Sequence, residues 1–269
     1  GVEMEGYNLL INGEMVAGTS TMPVLNPATE EVLTDCPRSS EGQLNQAVQA
    51  AKNAFSSWSQ TQIQERKEIV LKIADIVEAN AQELAQILTE EQGKPIGDAT
   101  GEVYGMAAFC RYFASLDLPV KLIEDSDGRK VEAHRTPLGV VGAIVPWNFP
   151  LILLAFKLPP ALIAGNTIVI KPAPTTPLST LRVAELIKDV APPGVINVIT
   201  DLNDLGAALT AHPDVRKISF TGSTATGAKV MAGAAGLLKR ITLELGGNEA
   251  GIVLNDVDPK EAAPKRVNS

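Results

Sequence analysis

The sequence predicts an α/β protein: a doubly wound parallel sheet with helices on both faces. Three observations predict it. From residue 138 onward, short β-branched runs alternate with stretches of helical length and period. The polar, turn-forming segments that could carry chemistry fall after those runs, where such a sheet binds its ligands. The chain has 269 residues, 45% hydrophobic and 20% charged, which suits one large α/β domain or two smaller ones in a soluble protein.

The elements follow in order. Residues 8–35 read as short strands and turns. Leu9-Leu10-Ile11 starts a hairpin at Asn12-Gly13, Glu14-Met15-Val16-Ala17 returns it, and Asn26-Pro27-Ala28-Thr29 makes another turn. Ser39-Ser40 caps a helix with apolar positions at Leu44, Val48, Ala51 and Phe55. A longer helix carries Ile69, Leu71, Ile73, Ile76 and Val77. The next covers residues 84–91 and stops at Gly93-Lys94-Pro95, and another runs from Ile96 to Phe113. Residues 124–130 are polar and turn-rich, and residues 131–135 alternate weakly, so residues 124–137 read as an exposed arm. Five strands then alternate with helices. Strands are expected at 140–145, 167–170, 195–199, 217–220 and 240–244, and helices at 150–164, 178–190, 205–211 and 226–235.

Charge and composition exclude several functions. Thirty-one acidic against 23 basic residues give a formal charge of −8, which argues against nonspecific binding to nucleic acid or anionic membrane. The most apolar stretch, residues 151–165, is interrupted by Lys157 and Pro159-Pro160 and falls short of a membrane span. The acidic N-terminal residues lack the apolar run of a signal peptide. Two cysteines, Cys36 and Cys110, form neither a disulfide framework nor metal spacing, and the two histidines, His134 and His212, lie far apart. No metal site is expected, and a reducing, cytoplasmic compartment is the economical reading.

Four strand-end segments carry the chemistry. Pro146-Trp147-Asn148-Phe149-Pro150 follows the first of the five strands, and the Asn148 amide can donate into a cleft there, although a structural turn asparagine is the ordinary alternative. Lys171-Pro172-Ala173-Pro174 follows the second. A lysine at that edge suits a ribose hydroxyl or a phosphate, where elsewhere it would be simply solvated. Phe220-Thr221-Gly222-Ser223 follows the fourth and opens a helix whose N–H groups and dipole can meet a pyrophosphate. Its glycine spacing is neither G-x-G-x-x-G nor Walker A. Leu243-Glu244-Leu245-Gly246-Gly247 ends the fifth. A carboxylate desolvated at an apolar strand end suits a general base, against the alternative of a surface glutamate beside a glycine turn. Each segment alone is weak, and the ordered set of four is not.

Together these segments resemble the aldehyde dehydrogenase superfamily, from about Asn8 to about Lys265. The resemblance implies a Rossmann-like NAD(P)-binding domain over residues 1–123 and 138–247. It also implies an oligomerisation arm at 124–137 and the start of a catalytic domain at 248–269, with Ile252-Val253-Leu254 as its first strand. It implies Asn148 as an oxyanion-hole donor and Glu244 as the general base. Lys171 would hold the adenosine ribose and Phe220, Gly222 and Ser223 would face the pyrophosphate, while Ile144, Trp147 and Leu245 would line the cofactor cleft. The implied reaction is attack of a cysteine thiolate on a small aldehyde, hydride transfer to NAD or NADP, and hydrolysis of the thioester to a carboxylic acid. A homo-oligomer is the implied assembly.

Three departures from the family pattern bear on these expectations. Pro174 stands where many NAD-preferring members carry a glutamate that binds the ribose hydroxyls, which leaves NADP admissible. Thr200-Asp201-Leu202-Asn203-Asp204-Leu205 lacks the usual glycines, and its acidic residues disfavour a phosphate if they face the cleft. The catalytic cysteine, expected in a Gly-Gln-x-Cys-like segment, would lie beyond Ser269. Cys36 beside Asp35 and Cys110 in an apolar helix are poor substitutes. The sequence therefore predicts a cofactor-binding half, inactive alone. The alternative from a different class is a binding or assembly module that keeps the fold without the catalysis.

Overall fold

The computed structural model describes residues 6–248 and 250–267. It opens with a hairpin of β1 (Leu9–Ile11) and β2 (Glu14–Val16). Asn12 and Gly13 at its turn both take positive φ, 54° and 78°, the backbone that a two-residue Asn-Gly turn requires. A second hairpin, β3 (Ser20–Leu25) and β4 (Val32–Arg38), turns where Asn26-Pro27-Ala28-Thr29 predicts, with Asn26 Oδ1 accepting from the Ala28 N–H at 2.9 Å.

Four helices follow: α1 (Glu41–Trp58), α2 (Ile63–Ala79), α3 (Ala81–Gln92) and α4 (Ile96–Ala114). Ser40 caps α1 in a reciprocal box with Gln43, as its position before the first apolar turn predicts. Gly93 ends α3 at φ 90°, a conformation that only glycine adopts cheaply. The expected arm is a hairpin of its own, β5 (Lys121–Ser126) with β6 (Arg129–Ala133). It begins before residue 124, because Lys121 and Leu122 supply two of its five pairs.

The remaining strands are β7 (Val140–Ile144), β8 (Thr167–Lys171), β9 (Ile196–Val198), β10 (Val215–Gly222) and β11 (Arg240–Leu245). They join the first hairpin in one sheet ordered β11-β10-β7-β8-β9-β1-β2, parallel from β11 to β9 and antiparallel beyond. Every residue of β7 and β8 is buried, as strands covered on both faces must be. Between them run α5 (Pro150–Ala155), α6 (Leu158–Ile163), α7 (Leu178–Ile187), α8 (Gly206–Ala211) and α9 (Thr224–Ala235).

Two apolar cores result, one on each face. The larger joins Trp58, Met106, Leu154 and Ile170, and the smaller joins Leu44, Val48, Val169 and Phe220. The chain winds outward from β7 through β8 to β9, then returns to β10 and β11 on the other side. The switch point lies between β7 and β10.

Two expectations need correction. The helix expected over 150–164 is two short helices broken at Phe156-Lys157, because Pro159 and Pro160 lack the N–H groups that would continue the ladder. Ile252-Val253-Leu254 is not a strand. Among the described residues no neighbouring strand is present to accept its hydrogen bonds, so the segment stays irregular and exposed, and α10 (Pro259–Val267) follows it. Residues 268 and 269, at the end of the predicted 248–269 segment, lie outside the described residues.

Candidate functional site

The switch point opens into a cavity of about 680 Å³ walled by Pro146, Trp147, Asn148, Phe149, Thr221, Gly222, Ser223, Glu244, Leu245 and Gly246, with α5 residues at its floor. Three strand ends meet there. Phe220 pairs with Ile144 at the end of β7, and Thr221-Gly222 pairs with Glu244-Leu245, so β10 and β11 finish together two residues beyond β7. Asn148, Trp147, Gly222, Ser223, Glu244 and Leu245, far apart in sequence, share this wall.

The turn bearing Asn148 is clamped from below. Lys94 Nζ donates to the Asn148 carbonyl at 2.9 Å and lies 3.9 Å from the centre of the Phe149 ring. Lys94 is itself ion-paired with buried Glu102. The other Glu102 oxygen accepts from the Leu151 and Ile152 N–H groups at 2.8 and 3.3 Å, capping α5. The turn thus presents exposed Trp147 and Asn148 from a fixed base.

Ser223 caps α9, its Oγ accepting from the Thr226 N–H at 3.2 Å, and the positive end of this twelve-residue helix faces the cavity. Gly222 must lack a side chain here: a Cβ would sit 2.6 Å from the Phe220 ring. Gly227, one turn into α9, lets the half-exposed Leu245 side chain lie against the helix, where a Cβ would push that side chain aside.

Glu244 is not desolvated in the way its apolar flanks predict, because β11 is the outermost strand and the side chain keeps 47% exposure. Its Oε2 accepts from Thr221 Oγ1 at 2.6 Å and lies 3.8 Å from Lys157 Nζ. Lys157 Nζ donates to Thr221 Oγ1 at 2.7 Å and to Ser219 Oγ at 3.3 Å. Burial pushes the Lys157 ammonium down to about 8; Glu244 opposes the shift and Lys217 adds to it. Glu244 also borders a second cavity of about 510 Å³, on the side of Arg135, Lys157 and Lys217.

The other expected residues lie behind the wall. Ile144 and Phe220 are buried in the smaller core. Lys171 is buried at the end of β8 and ion-paired with Asp201 at 2.8 Å. Thr221, Lys157, Lys94 and Glu102 were not singled out by the sequence reading. One signal was available, a lysine inside the apolar stretch 151–165, since a cation there must be paired or used.

Neither cysteine is near the site. Cys36 and Cys110 are fully buried, and burial pushes both thiols up to about 12, with Glu91 and Asp35 adding to the shift at Cys36. His134 sits on the arm 3.1 Å from Glu132, and His212 contacts Asn45 at 3.1 Å. Among the described residues no group of three potential metal ligands occurs, and no helix is long and apolar enough to cross a membrane.

Comparison with known proteins is consistent across sequence and structure. The model of the "Aldehyde dehydrogenase family" matches residues 15–269. A "Probable aldehyde dehydrogenase" from Pseudomonas sp is 47% identical over 251 residues, covering 93% of this chain and 51% of that protein. Among solved structures, PnpE in complex with nicotinamide adenine dinucleotide superposes with a TM-score of 0.92 at 42% identity, covering 97% of this chain and 55% of that one. A betaine aldehyde dehydrogenase point mutant from Staphylococcus aureus, in complex with NAD+, gives 0.92 at 33% identity over 97% and 54%. The chain spans about half the length of the relatives it matches.

Proposed function

Because the chain belongs to the aldehyde dehydrogenase family, we propose that it binds NAD or NADP across the β7/β10 switch point and carries two of the groups that oxidise an aldehyde to a carboxylic acid. One observation supports this above the others: Asn148, Ser223 and Glu244 wall a single cavity at the strand ends, where this topology binds dinucleotides. The fit is physical. The cavity lies within the size range of small-molecule sites, a helix N-terminus meets it, and Gly222 keeps the turn open to a diphosphate.

In this reading, residues 1–123 and 138–247 form the cofactor domain, Trp147 and Leu245 hold the nicotinamide side, and the α9 N-terminus holds the pyrophosphate. Ile144 and Phe220 support the wall from behind. Bound NAD or NADP supplies the hydride acceptor. The Asn148 amide donates to the oxygen of the substrate carbonyl as negative charge develops on it, a contribution of a few kcal/mol for a well-placed donor. Glu244 takes the proton of the water that releases the acid. Thr221 fixes the Glu244 carboxylate through one oxygen, leaving the other for that water. The attacking thiol is neither Cys36 nor Cys110, both buried and held protonated. This chain alone therefore binds the nucleotide without turnover. In the longer assembly, the arm at 124–137 supports a homo-oligomer, and the free thiols suit the cytoplasm.

The test is a titration of the chain with NAD+ and NADP+, followed by the fluorescence of Trp147. Trp147 is 59% exposed in the cavity, and the other tryptophan, Trp58, is buried in the core. Saturable quenching by at least one nucleotide, with no reduction of it in the presence of aldehyde, is the expected result. Steady nucleotide reduction by the purified chain would refute the division of labour.

A further inference from the structure

Glu244 borders two cavities, and the proposed function uses only one of them. The other, of about 510 Å³, has an apolar side that includes Leu138, Val141, Phe156, Pro160 and Ala161. Its polar side is a row along the sheet. Lys217, Ser219 and Thr221 alternate onto one face of β10, and the parallel register sets Arg240, Thr242 and Glu244 beside them on β11. Four residues of strand put the Glu244 end of this row roughly 13 Å from the Lys217 end. The two ends differ in charge. Glu244 is partnered by Thr221 and lies 3.8 Å from Lys157. At the other end Lys217 donates to Thr242 Oγ1 at 2.7 Å, and its ammonium has further protons to give. Arg135 reaches the same cavity from the chain leaving β6. Among the described residues neither Lys217 nor Arg135 has an ion-pair partner. Burial and the like charge of Arg240 hold the Lys217 ammonium below its ordinary value, and Lys217 in turn presses on Lys157. Asn166, 5% exposed, commits its Oδ1 to the Leu138 and Gly139 N–H groups, so its amide N–H groups are what it offers the cavity. Three cations against one carboxylate thus line this cavity, in a chain of net charge −8.

We propose that this second cavity binds a monocarboxylate with an apolar body, its carboxylate at Lys217 and Arg135 and its hydrocarbon against Val141 and Phe156. An anion leaves water only for cations and donors already in place, and this end of the row supplies both. Seated there, it also relieves the repulsion among Lys217, Arg240 and Lys157. Glu244 does not oppose it, because the carboxylate stands at the far end of the row with Lys157 beside it. The apolar side sets the rest of the ligand: methylenes or a ring gain by covering it, and a bare diphosphate would leave it wet. The volume lies within the range of small-molecule sites. This class includes the acids that the proposed reaction would release.

The test is calorimetric titration of the chain with hexanoate, hexanamide and acetate. Nucleotide is left out, so this inference and the nucleotide-binding reading fail separately. Hexanoate should bind with a Kd of about 1 mM. It should bind about tenfold or more tighter than hexanamide, which lacks the charge, and about tenfold or more tighter than acetate, which lacks the chain. Lys217→Met should weaken hexanoate about tenfold and Lys217→Arg should restore it, with folding checked by circular dichroism. Equal binding of hexanamide and hexanoate overturns the proposal, as does a hexanoate affinity unmoved by Lys217→Met. Equal binding of acetate and hexanoate means that the cavity reads a carboxylate alone, as an Asp or Glu side chain of a docked polypeptide would present it, and overturns the small-acid assignment. No saturable hexanoate binding overturns it too. Should Lys217→Met not fold, Arg135→Gln, at an exposed position, takes its place with the same expected loss.

Discussion

Lys157 is a cation set in an apolar wall, and its linkage to pH is a direct check on the site's geometry. Its side chain is 1% exposed, and burial holds the ammonium at about 8 against an ordinary 10.5. A base whose folded value is lowered releases its proton in the folded chain before the unfolded one does. Between about 8 and 10.5 the unfolded state binds the extra proton, so stability rises with pH across that window. The full relief is on the order of 3 kcal/mol. Lys157→Met should remove this gain, while Lys239, also pushed down to about 8 by burial, keeps its own in both proteins. Urea midpoints of both proteins at pH 7.5 and 9.5 measure the difference, and equal gains would dismiss the assignment. The convergence of Asn148, Ser223 and Glu244 on one cavity was legible in the sequence, because each lies at or just beyond a strand end and strand ends converge. Thr221 and Lys157 were not, because their meeting depends on the register of β10 against β11 and on the helix break at Phe156-Lys157.

Elements position the site through their ends. α5 has only six residues, too few to hold itself by its own ladder, and Glu102 of α4 supplies the acceptor for its first N–H groups. Glu102 is 1% exposed and its partner Lys94 is 9% exposed. Glu102→Ala should cost about 3–5 kcal/mol, the penalty for leaving a buried ion without its partner. It should also loosen the Trp147-Asn148 turn, seen as a fall in the urea midpoint together with weaker nucleotide quenching. A variant with unchanged stability would show that the clamp is ornamental. Most elements could be read from period and caps: Ser40 before α1, Gly93 after α3, Asn12-Gly13 between β1 and β2. The arm's first half could not, because Leu122 and Ile123 look like core residues and are exposed. The Ile252-Val253-Leu254 strand failed for a different reason: apolar, β-branched sequence makes a strand only when another strand accepts its hydrogen bonds.

At the scale of the whole molecule, alternation of strand and helix predicted the doubly wound sheet, but neither its order nor the recruitment of the β1-β2 hairpin was legible. That hairpin joins through one Leu10–Val198 pairing and through core contacts, which no local pattern announces. Apolar side chains stand in solvent before, at the end of and after β11 in sequence: Leu238 is 90% exposed and Ile252 82%, and Leu237 and Leu245 are exposed too. Net charge of −8 keeps such surfaces apart at neutral pH. Light scattering at 1 mg/ml, roughly, should show a monodisperse chain at pH 8 and association as pH falls toward the sequence pI near 4.9. Unchanged scattering across that range would mean the exposed residues are not adhesive.

The sheet's two outer strands are unequal. β2 has three residues and begins with exposed Glu14, while β11 has six and, among the described residues, no strand on its far side. In the language of polymer chemistry, the seven-stranded sheet is a monofunctional unit. One margin can add a strand and the other is too short and too charged to do so. Two copies joined margin to margin at β11 would leave this sheet only its short β2 margins, so growth through the seven-stranded sheet would terminate at the pair instead of running on into a fibre.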